Sequence, residues 1–185
     1  MEIKIAVAVI TNRGVKAKTA LALMEMIQAT SVEVFPVIAT EGFSIAENRT
    51  YCVVKALNAK CSHILFIDDD MVFPPQTLDL LLSHKKTLVG VNSNSRMLPL
   101  KSTVTYEGEM PKELFECEQV GFGVALIDLS VIEHLPQPWF GFETAINGKV
   151  LNGEDGWFCD RIKAKGYSVH CDPTLSISHI GDYLY

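Results

Sequence analysis

The chain lacks any long apolar run: none of its 185 residues belongs to a stretch approaching the roughly 20 apolar residues that cross a bilayer. Cysteine is sparse and odd in number. Cys52, Cys61, Cys117, Cys159 and Cys171 show no CxxC spacing, which suits reduced, packed thiols better than a disulfide framework. Positive charge is short as well. Sixteen Lys and Arg face 22 Asp and Glu, a net charge of −6, and no basic stripe is present. Electrostatic attraction to nucleic acid or anionic lipid is therefore not encoded, and an anionic ligand would need local donors or a metal. The opening residues 1–10 carry charges inside their apolar run and lack a signal-peptide layout. A cytoplasmic protein is the resulting expectation. Low-complexity segments and internal repeats are also missing.

What is present is an alternation of strand-like and helix-like patterns through the first hundred residues, the signature of a parallel α/β layer. Strands are expected at 3–10, 32–39, 63–67 and 87–91, and helices at 16–29, 45–59 and 76–84. Pro36 inside the second strand suggests an edge or a bulge. Ser44 followed by Glu47 forms a capping-box pattern ahead of the second helix. After Asn92 the segments shorten, with strand candidates at 102–106, 118–128 and 168–171 and one helix from Glu154 to Lys165 before Gly166. The reading is one domain over 1–185, with a nucleotide-binding half at 1–92 and an irregular, acceptor-facing half at 93–185.

Asp68, Asp69 and Asp70 follow one another at the end of the apolar strand His63-Ile64-Leu65-Phe66-Ile67. Adjacent carboxylates repel, and at the mouth of an apolar core they also lose solvation, so something positive must offset them. A hard divalent cation fits, since Mg²⁺ or Mn²⁺ takes one or two carboxylates and shares its other positions with water and phosphate. A polar strand end capping the next helix is the plainer alternative. In open α/β sheets ligands sit beyond the carboxyl ends of the strands, where these aspartates fall.

Residues 67–75, Ile-Asp-Asp-Asp-Met-Val-Phe-Pro-Pro, resemble the DxD segment of GT-A glycosyltransferases, sugar-nucleotide-dependent enzymes with bacterial, archaeal and viral members. Ala46-Glu47-Asn48-Arg49 is similar to the stretch that precedes the DxD strand, with Glu47 where an alanine is usual. Residues 120–127 (VGFGVALI) resemble the small-residue strand lining the acceptor site. Residues 153–161 (GEDGWFCDR) resemble the acidic helix start, and Ser178-His179-Ile180-Gly181 the closing histidine motif. The blocks occur in the family's order across nearly the whole chain.

The resemblance implies a Rossmann-like GT-A fold, a mostly parallel sheet flanked by helices, and transfer of a sugar from a UDP- or GDP-type donor to an acceptor hydroxyl with Mn²⁺ or Mg²⁺. It implies that Asp70 is the first protein ligand to the metal, that Asp68 reaches ribose hydroxyls or a water of the metal shell, and that Asp69 is the variable middle position. Which two of the three touch the metal stays open. His179 would complete the metal shell or contact the diphosphate, Asn48 and Arg49 the base or diphosphate, and Thr11 the base or ribose. Asp155 is the stronger candidate for general base and Glu154 the weaker, although both also suit a helix N-terminus.

Two rivals stand beside this reading. Residues 64–72 also match the haloacid-dehalogenase-like phosphatase pattern, in which Asp68 would be a nucleophile, but two strand–helix units precede them here. A sugar-nucleotide-binding domain without catalysis would keep the fold and lose the base. Trp139, Phe140, Phe142 and Trp157 suit either core packing or stacking on a sugar. Loops 92–99 and 136–149 are expected to set the acceptor. Segment 176–185 has little apolar surface, which predicts ordering mainly with metal and nucleotide.

Overall fold

The computed structural model describes residues 3–40, 42, 44–94 and 101–181. The first half runs β1 (Lys4–Ile10), α1 (Ala17–Ala29), β2 (Glu33–Ala39), α2 (Ile45–Asn58), β3 (His63–Asp68), β4 (Met71–Val72), α3 (Thr77–Ser83) and β5 (Leu88–Val91). The second half adds β6 (Val104–Thr105), β7 (Phe115–Cys117), β8 (Gln119–Val120), β9 (Val124–Asp128) and a 3₁₀ turn (Leu129–His134). It closes with β10 (Glu143–Thr144), β11 (Val150–Asn152), α4 (Glu154–Lys163), β12 (Val169–Asp172) and β13 (Ser178–His179). Among the described residues no helix is long and apolar enough to cross a membrane.

Seven strands form the central sheet in the order β2-β1-β3-β9-β5-β12-β7. β2, β1, β3, β5 and β12 run one way, while β9 and β7 run against their neighbours. The result is the expected α/β fold with a mostly parallel sheet flanked by helices. Both faces of β3 are covered, so its apolar residues divide by period two. Ile64 and Phe66 pack with Cys52, Val53 and Ala56 of α2 and Phe158 and Ile162 of α4. Leu65 and Ile67 pack with Ala22 and Met26 of α1 and Leu78 and Leu81 of α3. Pro36 lies in β2, the edge strand, where a missing N–H costs no ladder bond. The Ser44 hydroxyl accepts the Glu47 N–H at 3.2 Å, a cap worth about 1 kcal/mol.

Several expectations give way. Segment 118–128 is two strands rather than one: β8 and β9 are separated where Gly121 turns against Thr103, its N–H donating to the Thr103 carbonyl at 2.9 Å. A Cβ on Gly121 would come within 3.1 Å of the Thr103 Cβ, so a larger residue there would have to push Thr103 aside. α4 ends at Lys163, because Gly166 turns at φ +85° and Tyr167 donates back to the Ile162 carbonyl. Around Ser176 the chain packs on the core: Leu175 is buried, Ile177 lies against the core, and β13 pairs with β4. Residues 95–100 and 182–185, parts of two segments given functional expectations above, lie outside the described residues.

Gly90 in β5 faces the core so closely that a Cβ there would lie 2.4 Å from Val120 Cγ2. Valine is stiff about χ1 and buried, so it has little room to yield. Gly90→Ala should cost about 1–3 kcal/mol in urea unfolding. Adding Val120→Ala should return part of that loss, and purely additive losses would show that the clash is relieved elsewhere.

Candidate functional site

β1 and β3 are parallel neighbours with Ile10 opposite Asp68, so Thr11 emerges beside the three aspartates. The Thr11 hydroxyl donates to Asp69 Oδ2 at 2.5 Å and accepts the Gly14 N–H at 2.9 Å. Gly14 sits at φ +92°, a turn that favours glycine. The Lys16 N–H donates to the Asp69 carbonyl at 2.9 Å. Asp69, the middle aspartate, thus ties the first loop to the end of β3.

A cavity of about 840 Å³ opens over this junction. Thr11, Asn48, Asp68, Asp69 and Asp70 line it, as do Arg13, Lys16 and Ile180. Arg13 and Lys16 place cations in a wall that also carries the aspartates, a balance suited to an anionic ligand with its counterion. Lys16, just ahead of α1, carries no local motif, whereas Ile180 belongs to the closing histidine motif at the far end of the chain. Asn48 also closes the neighbouring loop: its Oδ1 accepts the Gly42 N–H at 2.8 Å, and a Cβ on Gly42 would lie 2.1 Å from that oxygen.

Arg49, Glu154, Asp155 and His179 are not among the lining residues. Arg49 is 1 % exposed, beneath the site rather than in it. Its Nε donates to Glu154 Oε1 at 3.0 Å, and its Nη2 makes a looser 3.4 Å contact with Asp68 Oδ1. Its guanidinium carbon packs 4.9 Å from the ring centroid of Phe66 and 5.3 Å from that of Phe122. Those rings meet Phe140 and Phe158 in one aromatic cluster. Trp139 and Phe140 are therefore core residues, whereas Phe142 is exposed and Trp157 half-buried against Gly141.

Burial raises the Asp68 carboxyl above its ordinary range; Arg49 opposes this, and Glu154 and Asp70 reinforce it. Burial, followed by Glu154, likewise raises Asp155. Asp155 Oδ1 accepts the Gly156 N–H at 2.8 Å within the first turn of α4. Glu154 is buried and committed to Arg49, which leaves Asp155 as the less encumbered carboxylate.

His179 reaches the aspartates through strand pairing. In the β4–β13 ladder it stands opposite Met71, and the Ile180 N–H donates to the Asp70 carbonyl at 2.8 Å. Its Nδ1 lies 2.6 Å from the Asn94 carbonyl oxygen, which can only accept, so Nδ1 donates there and Nε2 is the ring nitrogen left for another partner. Among the described residues no group of three or more His, Cys, Asp and Glu side chains gathers to enclose a metal. Carboxylates and one oriented imidazole suit Mg²⁺ or Mn²⁺ sharing its shell with phosphate oxygens and water.

No protein-family model matches the sequence, and no curated protein matches it. Solved structures do resemble the fold. The crystal structure of A197 from STIV has a TM-score of 0.67 at 19 % identity, over 97 % of this chain and 87 % of that one. The structure of GalNAc-T7 with UDP, GalNAc and Mn²⁺ has a TM-score of 0.57 at 12 % identity, over 96 % of this chain but 44 % of that one. The inositol-1-phosphate CTP transferase from T. maritima has a TM-score of 0.54 at 8 % identity, over 98 % and 91 %. At these identities the likeness establishes a shared architecture, a Rossmann-like α/β fold.

Proposed function

We propose that the chain is a metal-dependent glycosyltransferase that moves a sugar from a UDP- or GDP-type nucleotide-sugar to an acceptor hydroxyl. The observation that carries this is the cavity at the carboxyl ends of β1 and β3, where Thr11, Asn48, Arg13, Lys16 and the three aspartates converge. In this reading Thr11 and Asn48 would orient the nucleoside, and Arg13 and Lys16 would face the diphosphate. Asp70 would hold Mn²⁺ or Mg²⁺, with His179 and either Asp68 or Asp69 sharing the shell. When bound, such an ion neutralises the negative charge that develops on the departing diphosphate. Asp155 takes the proton from the acceptor hydroxyl; its carboxyl, raised by burial, is a stronger base than an exposed aspartate. The GalNAc-T7 structure, with UDP, GalNAc and Mn²⁺ on the same fold, supports this reading. The CTP transferase likeness supports a second one, nucleotidyl transfer, and the product separates the two: nucleoside diphosphate for sugar transfer, pyrophosphate for nucleotidyl transfer.

In calorimetric titration the parent should bind UDP or GDP only with Mn²⁺ or Mg²⁺. Asp70→Asn should abolish that metal dependence with its circular dichroism unchanged. Metal-dependent affinity retained in the variant would remove Asp70 from the site. A thermal shift with vanadate and none with nucleoside diphosphates would point instead to a phosphohydrolase using Asp68.

Asp155→Asn should lower turnover by about two to four orders of magnitude while leaving donor affinity within about threefold. The same variant should be more stable than the parent at pH 7. A carboxyl whose folded pKa is raised binds its proton more tightly when folded, so its ionisation costs stability as pH rises from the unfolded value through the folded one. The gain should therefore shrink as pH falls through the ordinary carboxylate range. Urea unfolding of both proteins at each pH checks this, and a gain constant with pH would contradict the desolvation of Asp155.

A further inference from the structure

Arg49 stands 19 residues before Asp68 and 105 before Glu154, yet its guanidinium touches both carboxylates. We propose that Arg49 is a positioning residue, which fixes the head of α4, and with it Asp155, relative to the carboxylates at the end of β3. Three observations carry this. The guanidinium is immobilised against Phe66 and Phe122, and Phe158 of α4 packs on the Phe122 ring, so the aromatic cluster that seats Arg49 also seats the helix it anchors. Glu154 is the first residue of α4 and is buried, so its place is set by Arg49 Nε rather than by water. Arg49 is nearly inaccessible and does not line the cavity, so its place in the fold is apart from direct contact with a ligand there.

Two directed contacts from one planar group are a task for arginine, since lysine offers a single point charge on a flexible stem. The geometric effect falls on catalysis more than on binding. A base displaced by a fraction of an ångström loses its alignment with the attacking hydroxyl, while the nucleotide keeps its own contacts in the cavity.

The kinetic part of the proposal rests on the glycosyl-transfer reading, and a double-mutant cycle separates the two. Arg49→Met alone should destabilise the fold by leaving Glu154 buried and unpaired. Arg49→Met with Glu154→Gln should recover most of that loss, giving a folded protein without the bridge. In that double variant, calorimetric affinity for UDP or GDP with Mn²⁺ should stay within about threefold of the parent. Its kcat for nucleoside diphosphate release from the sugar nucleotide should fall by about 10- to 100-fold with KM little changed, and Arg49→Lys should not rescue it. Parent-level kcat in the stable double variant would reduce Arg49 to a structural role. Affinity lost in step with kcat would make it a ligand contact. If the parent binds no nucleoside diphosphate, the proposed function falls, and the unfolding cycle still decides the bridge: additive effects of Arg49→Met and Glu154→Gln would overturn it.

Discussion

Negative charge gathers at one end of the central sheet, and a single buried cation meets it. Asp68 ends β3 and Asp69 and Asp70 follow it, Glu154 and Asp155 open α4, and among the described residues Arg49 is the one buried basic side chain. Bringing carboxylates out of water is costly unless a counterion and hydrogen bonds meet them, and breaking such a pair leaves the remaining charge stranded. The surroundings bear this out. The first loop closes onto Asp69, the far carboxyl-terminal strand pairs beside Asp70, and four phenylalanines build the platform that holds the guanidinium.

The sheet topology converts that local problem into a site. Parallel β1 and β3 deliver Thr11 and the aspartates to the same end, and β2 ends alongside them, so loops from three strands surround one cavity. β9, running the opposite way between β3 and β5, connects the halves through the middle of the sheet. Its preceding turn brings Gly123 near Asp68 and Phe122 under Arg49, so the strand that joins the halves also helps set the floor of the site.

Stability and chemistry pull in different directions here. Burial raises both Asp68 and Asp155, so each costs the fold something at neutral pH when ionised. Elsewhere buried polar groups are arranged to stabilise. Burial alone would raise Asp172, but hydrogen bonds from Thr174 and His84 bring it below its ordinary range. That bond joins the end of α3 to β12, away from the cavity. A hydrogen-bonded aspartate in the scaffold thus contrasts with desolvated ones at the end of β3 and the head of α4.

The sequence by itself determined the α/β alternation, an edge or a bulge at Pro36, the Ser44 cap and the position of the aspartate run at a strand end. Each follows from periodicity, proline chemistry or a residue spacing of a few positions, which local backbone geometry reads directly. Only the tertiary structure decided what stands beside what. No period in 118–128 announces that the backbone breaks against Thr103, or that β9 then runs backwards between β3 and β5. The Asn94 carbonyl that orients His179 belongs to another segment of the chain, as does Glu154 for Arg49. An arginine on a helix reads as exposed or ligand-binding, since its burial depends on two aromatic rings and two carboxylates that arrive only when distant segments pack. Hydrophobic pattern specifies which face of an element is covered; the partner that covers it is chosen by the packing of the whole.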